Sequence, residues 1–434
     1  MKKARFTFSI AALVSFVLPL CACAKSVGGM VLIDDYNDGY TGKEISFFGY
    51  TAEAENLFAV EEALHGFMKA NEGLNVIYEG VSGAEYWTAL KKRAEANVLD
   101  EVFMVDRDHI ADLVNGGIAE DVKDILDVEA YGDIARSQIL RKGADGAGQV
   151  YFAPMCLSTF GLYVNYSLLS SHGIKIPENF GELQNACDYF VSKGVTPIVV
   201  NNSSCVKSLI IARGMYGVYN NAETEKTINL FNSDSSALAA KLEGGINMVA
   251  QMVADGWIDG VQANKAEQAS GALDVFAKGD SPFMIAEGSA TVKLKKLNGQ
   301  LKYGVHPYPV ADDGSVLVVD ANVCVSVNAE SEDKDDGMKF FEYLTKPEII
   351  QSYCESRSVF SPLKDFGAQT DKTVAPCVEY LTNGRSVIGS DYNITVPLDG
   401  YLLSCADMLM DGAGAAEVNA YISAQLKVKG GAMI

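Results

Sequence analysis

Apolar residues recur along this chain in two periods that alternate in regular order. Ile45-Ser46-Phe47-Phe48 reads as a strand, and Leu57, Val60, Leu64 and Phe67-Met68 fall on one face of a helix behind it. Leu74 to Tyr78 predicts a second strand. Ser82 and Glu85 form a capping box for a helix carrying Trp87, Leu90 and Ala94. Val102 to Val105 predicts a third strand, with Asp106 immediately beyond it. Further on, Leu162 and Val164 alternate with Tyr163 and Asn165. Pro177 then precedes a helical pattern of Phe180, Leu183, Cys187 and Phe190, which Gly194 suits as a left-handed end. Ile198-Val199-Val200 reads as a buried strand followed by the polar run Asn201-Asn202-Ser203-Ser204. Strand-helix-strand units of this kind build parallel sheets, so the fold class is α/β.

The later chain keeps the pattern. A long helix carries Leu238, Leu242, Ile246, Val249 and Val253 and stops at Gly256, with Trp257 next. Phe283 to Ala286 predicts a strand left by Glu287-Gly288-Ser289. Val316 to Asn328 predicts a long strand carrying Asp320, Ala321 and Asn322. A helix around Met338, Phe341 and Leu344 follows, then C-terminal helices at about 371–387 and 399–428.

The first residues read differently. Lys2, Lys3 and Arg5 precede an uncharged stretch from Phe6 to Leu20, the pattern of a secretory signal. Leu20-Cys21-Ala22-Cys23 matches a bacterial lipobox with Cys23 as the lipid-bearing residue; ordinary cleavage after Ala24 is the alternative. Residues 24–43, with Gly28, Gly29, Gly39 and Gly42, read as a flexible tether, and their acidic cluster lacks EF-hand spacing.

At 434 residues the chain is long enough for two domains with cores of their own. Its net charge of −21 argues against nucleic acid and anionic membrane surfaces, which need a basic footprint. Seven cysteines remain beyond the signal, scattered and without a CxxC pair, which points to buried free thiols and away from zinc. The four histidines are far apart and read as ordinary residues. Gly143, Gly146 and Gly148 lack the strand, helix and Lys-Ser/Thr of a phosphate loop and read as a hairpin turn. No cofactor or metal is called for.

Several of these stretches resemble extracellular solute-binding proteins of family 1, the capturing subunits of bacterial ABC importers. The resemblance lies in the strand Leu162 to Asn165, Gly173-Ile174 with Pro177, Gly194 to Ile198, and Asp100-Glu101 before Val102-Phe103. It extends to the hairpin Asp145 to Tyr151, to Phe276 through Gly288, and to Pro307-Tyr308-Pro309. Many sugar binders of the family carry a Trp just after that last glycine; Ser289 and Ala290 stand there in this chain. The resemblance implies a periplasmic-binding-protein-like fold of class II type, two α/β lobes joined by hinge crossings near 154–160, 317–322 and 364–372. The expected division is a signal at 1–23, a tether at 24–43, an N-terminal lobe at 44–157 and 322–365, and a C-terminal lobe at 158–321 and 366–434. It implies a monomeric, non-enzymatic protein, lipid-anchored at Cys23 on the outer face of the membrane. Such a protein hands a small polar solute, a carbohydrate above all, to ABC permease subunits. A same-fold protein feeding a sensor is the first alternative. A surface glycosidase using Glu287 and Asp106 is the second, though no nucleophile–base constellation accompanies them.

Ligands of open α/β sheets bind beyond the carboxyl ends of strands. That rule nominates Tyr50, Thr51 and Glu53; Asp106 and Asp108; Asn201 and Asn202; and Glu287 and Ser289. The crossover residues Ser158, Thr159, Asp320 and Asn322 should face the same cleft. Carboxylates and amides suit paired hydrogen bonds to sugar hydroxyls, and an aromatic ring covers the apolar face. Tyr50 is the preferred ring. Trp257 is a stacking candidate that could equally seal its turn, and Trp87, sharing a helix face with Leu90, is expected in the core.

Overall fold

The structure is a computed structural model that describes residues 24–27, 30–33, 42–51, 54–81, 84–142, 148–260, 271–357, 359–364 and 371–429. Cys23, Glu53 and Ser82, and the crossing at 365–370, lie outside the described residues. In chain order the strands are β1 (Ala24–Val27), β2 (Met30–Ile33), β3 (Lys43–Gly49), β4 (Leu74–Val81), β5 (Val102–Val105), β6 (Arg141–Lys142) and β7 (Gly148–Gln149). Then come β8 (Ala153–Asn165), β9 (Ile198–Val200), β10 (Phe283–Glu287), β11 (Tyr303–His306), β12 (Tyr308–Ala311), β13 (Gly314–Val327) and β14 (Ser386–Ile388). Twelve of them form one sheet in the order β1-β2-β4-β3-β5-β13-β8-β10-β9, with β11 on β8 and with β12 and β14 on β13. The remaining pair, β6 and β7, is antiparallel, and the turn expected at Gly143 and Gly146 lies outside the described residues.

The two long strands β8 and β13 organise the molecule. They pair antiparallel from Val318↔Phe160 to Val325↔Ala153. β13 also pairs with β5 from Cys324 to Val327, and β8 pairs with β10 from Phe160 to Val164 and with β11 from Leu162 to Asn165. Both are buried along almost their whole length, as strands covered on both faces are.

Two apolar cores use opposite parities of these strands. Tyr163, Leu317, Val319, Met284 and Ala286 belong to the first, with the elements around β3, β4 and β5. Leu162, Val164, Val316, Val318, Phe283 and Ile285 belong to the second, under helices Phe180–Ser192, Ser203–Tyr219, Ser235–Ala254 and Leu398–Met410. The alternation is the period of two that a pleated strand imposes. Helices Ser203–Tyr219 and Ser235–Ala254 cross so closely that a Cβ on Gly245 would lie 2.1 Å from the Ile210 carbonyl oxygen. Gly194 (φ +75°) and Gly256 (φ +74°) end their helices in the left-handed region, as expected. All seven cysteines of the described residues are free and buried. No helix among the described residues is long and apolar enough to cross a membrane.

Three expectations need correction, the simplest being the helix expected at 399–428, which is two, Leu398–Met410 and Ala415–Lys429. The stretch read as a flexible tether contains β1 and β2, and β2 pairs antiparallel with β4. Val31 and Ile33 alternate with Met30 and Leu32, so one side of β2 enters the core, where Val31 and Ile33 are buried. The helix expected at 371–387 is a 3-10 turn, Ala375–Leu381, followed by β14, which adds in parallel to β13 at Leu317–Val319.

Candidate functional site

The second-core face of the central strands turns from apolar to polar over a short stretch of each strand. On β13 the apolar positions Val316 and Val318 are succeeded, two residues apart, by Asp320 and Asn322. On β8, Leu162 and Phe160 give way to Ser158, which pairs with Asp320. On β10, Phe283 and Ile285 give way to Glu287, which pairs with Phe160. Strand period puts Glu287, Ser158, Asp320 and Asn322 on one face, and register makes them a polar row that runs obliquely across three neighbouring strands, Glu287 level with Phe160, Ser158 with Asp320 and Asn322 with Cys156.

A layer of charge lies against that row. Lys207, in the first turns of Ser203–Tyr219, is buried, and its Nζ lies 3.5 Å from Asp399 Oδ1. The Ser390 amide donates to Asp320 Oδ1 (2.6 Å), and the Ser390 hydroxyl donates to Asp399 Oδ2 (2.8 Å). Gly389 makes this approach feasible, because a Cβ there would lie 2.7 Å from Asp320 Oδ1. Burial raises the Asp320 carboxyl from its ordinary 3.8 to about 6. Lys207 and the Ser390 amide oppose the rise, while Asp399 and Glu287 add to it. Arg357, at the end of Pro347–Arg357, donates to the Tyr353 hydroxyl. Burial works against its charge, but Tyr353, Cys156 and Glu287 raise its pKa overall. Its Nε is a buried donor with no hydrogen-bond partner among the described residues.

On the other side stands an aromatic group built by three successive strand exits. Tyr50 leaves β3, Trp87 lies in the first turns of the helix Ala84–Glu95 after β4, and Asp106 and His109 follow β5. Tyr50 and Trp87 have ring centroids 5.7 Å apart, and Tyr86 meets both edge-on at 5.5 and 4.7 Å. His109 stacks on Trp87 at 4.2 Å with 6° between the planes. Asp106 caps the helix Arg107–Asn115 by accepting the His109 amide, and the same Oδ1 accepts the ring Nδ1–H at 2.6 Å. Burial pushes the Tyr50 phenol well above its ordinary pKa, so it stays a donor. It donates to Asn322 Oδ1 at 3.3 Å, and Asn322 Nδ2 donates to Ser158 Oγ at 3.2 Å. This chain joins the aromatic group to the polar row. Asn322 Oδ1 also accepts the Val323 amide, and Val323 sits at φ +50°, a costly conformation for a β-branched residue, within the stretch where β8 and β13 pair.

The other nominated residues take structural places. Thr51 is buried, and its carbonyl accepts the Tyr78 hydroxyl. Thr159 is buried, and its carbonyl accepts the Gly288 amide. Asn202 caps Ser203–Tyr219. The Asn201 amide donates to the Ile285 carbonyl, and Ser289 precedes the helix Ala290–Leu297. Asp108 is helical, but its side chain is outside the described residues. Trp257 must be withdrawn from the ligand set. It is 0% exposed in the second core, and its indole N–H donates to Asp188 Oδ1 at 2.9 Å, so it seals the Gly256 turn. Trp87, expected in the core, is only half-buried and belongs to the aromatic group.

The sequence reading passed over Lys207, Arg357, His109, Ser390 and Asp399. Lys207 left a signal: it is the one charge in the mostly apolar run from Cys205 to Ala212, where a buried lysine needs partners. Arg357, His109 and Asp399 have no comparable local mark.

Comparison with known proteins agrees with this architecture. Residues 62–376 match the family described as bacterial extracellular solute-binding protein. A curated relative, the multiple sugar-binding protein of Streptococcus mutans, is 24% identical over 235 residues, 52% of this chain. The match covers 53% of that protein, so the chain spans about half the length of this relative. Among solved structures, the binding protein msme from Bacillus subtilis, in an open conformation, superposes with a TM-score of 0.72 at 17% identity, covering 89% of this chain and 97% of that one. RafE in complex with raffinose gives 0.67 at 18% identity over 88% and 99% of the two chains. A sugar transporter protein of Bacillus licheniformis in complex with stachyose gives 0.66 at 18% identity over 88% and 98%. These neighbours share the periplasmic-binding-protein-like α/β fold, and they are binding proteins, not enzymes. With its strand order, its polar row at the centre of the sheet and a family match over most of its length, this chain belongs to the bacterial extracellular solute-binding protein family.

Proposed function

We propose that this protein captures a carbohydrate, an oligosaccharide in particular, and delivers it to an ABC permease from a lipid anchor at Cys23. The observation that carries the ligand class is the polar row of Glu287, Ser158, Asp320 and Asn322 facing a group of aromatic rings, joined to it through Tyr50. Sugars present paired hydroxyls around an apolar ring face, and amides, carboxylates and cationic side chains answer the first while aromatic rings answer the second. Buried Arg357 Nε is a donor still to be satisfied, which suits a ligand oxygen. The sugars in the neighbours' complexes support the same class.

The motion we propose is closure of two lobes, 44–157 with 322–365 and 158–321 with 366–434, about the crossings of β8 and β13. Tyr50, Trp87 and Arg357 would contact the ligand from one lobe, and Glu287, Asp320 and Lys207 from the other.

A thermal-shift panel of raffinose, stachyose, maltotriose and xylotriose against the mature chain tests the ligand class. A saccharide at a hundred times its Kd should add about 2.7 kcal/mol of stability. Small-angle scattering at that concentration should show compaction. No shift with any saccharide in the panel would overturn the carbohydrate reading.

A further inference from the structure

We infer that His109 is the positioning residue of the aromatic wall: it holds the Trp87 indole in the plane against which the ligand packs, and Asp106 acts on the ligand only through it. The inference rests on the proposed ligand site and deepens it. Asp106 was nominated as a residue that binds hydroxyls directly, but its Oδ1 already serves two bonds, to the His109 amide at 3.0 Å and to the imidazole Nδ1–H at 2.6 Å. The pair of bonds fixes both the backbone and the ring of one residue, leaving the imidazole little freedom about its side-chain torsions. That ring lies almost parallel to the indole, 6° between planes and 4.2 Å between centroids. Tyr86 abuts the indole edge-on, and Tyr50 is tilted against it at 46°. The Trp87 plane is therefore set by three rings from three different strand exits, and His109 is the one in face-to-face contact.

Both Trp87 and His109 are half-buried at the carboxyl ends of the strands, the level at which Tyr50 reaches the crossover. A half-buried indole on a first helical turn would otherwise sample several rotamers. Ordering it before the ligand arrives removes an entropic cost that binding would have to meet.

The test uses the two tryptophans and a double-mutant cycle. Trp257 is fully buried and bonded to Asp188, so it is a constant background, and changes in emission report Trp87. The probe is whichever saccharide of the panel gives the largest thermal shift. His109→Ala should change Trp87 emission and weaken binding about tenfold, the equivalent of one aromatic pair. His109→Phe keeps a stacked ring and should recover affinity to within about threefold of wild type. Asp106→Ser keeps the helix cap but cannot hold the imidazole; it should cost about fivefold in wild type and under about twofold in the His109→Phe background. An equal Asp106→Ser loss in both backgrounds means that the carboxylate touches the ligand itself, and it overturns the inference while leaving the site in place. Unchanged Trp87 emission in His109→Ala overturns it as well. If wild type binds no saccharide although His109→Ala alters the emission, the ligand site fails and the inference falls with it.

Discussion

Asp320→Asn should make the ligand-free protein more stable and a poorer binder, and the pH at which the stability appears is set by the geometry. The Asp320 carboxyl is at about 6 in the fold and at 3.8 when unperturbed, chiefly because it is buried in the polar row. The folded state thus holds the proton more tightly than the unfolded chain. Stability from that proton is fully present below 3.8 and is lost as pH rises through about 6. Above that, the ionised carboxylate weakens the fold by roughly 3 kcal/mol, at about 1.4 kcal/mol per tenfold in proton affinity. An asparagine oxygen still accepts the Ser390 amide, and Lys207 keeps Asp399 as a partner. The variant should therefore match wild type at pH 4 and exceed it by roughly 2–3 kcal/mol at pH 7.5. At about 2.1 cal/mol/K of unfolding entropy per residue, that is a rise of about 3 °C in Tm for a chain of 434 residues. Other groups that titrate in this window are common to both proteins and cancel in the difference. Binding should move the opposite way, losing about tenfold, because a neutral amide accepts a weaker hydrogen bond from a sugar hydroxyl than a carboxylate does. Paired melting curves at pH 4, 5, 6 and 7.5, with titration of the best saccharide at pH 7.5, provide the measurement. A variant no more stable than wild type at pH 7.5, or equally stabilised at pH 4, would refute the claim that Asp320 is desolvated in the fold.

Three further outcomes test other parts of the structure. Gly245→Ala should destabilise the protein by about 1–3 kcal/mol or more without changing ligand affinity, since the new methyl must push the Ile210 backbone away; urea unfolding reads this, and an unchanged midpoint would contradict the close crossing. Trp257→Phe should cost about 1–3 kcal/mol through a cavity and the lost hydrogen bond to Asp188, and saccharide affinity should stay within about twofold; a large loss of affinity at intact stability would return Trp257 to the site. Cys23→Ala should move the exported protein from the membrane fraction to the soluble one, and retention at the membrane after signal removal would refute the lipid anchor.

Local pattern was enough for everything that depends on neighbours along the chain. The alternation of apolar residues announced β3, β4, β5, β8, β10 and β13, Gly194 and Gly256 marked their helix ends, and Tyr50, Asp106, Asn202 and Glu287 were legible as strand-exit residues. The row of Asp320 and Asn322 was visible as polar residues interrupting an apolar strand. A period read along one strand, however, says nothing of which strand lies beside it. Register across β10, β8 and β13 brought Glu287, one same-face step away, beside the Ser158–Asp320 pair in an oblique row, and register is set by long-range pairing. The same limit hid the aromatic group. Trp87 fits an apolar helix face in its own segment, and only the parallel placement of β3, β4 and β5 brings the exits with Tyr50 and His109 against it. Trp257 shows the converse, since its place after a helix stop suits either a wall or a seal, and burial against Asp188 decides for the seal. Tertiary packing decides such cases because the cost of burying a polar or aromatic tip depends on the partner that meets it there.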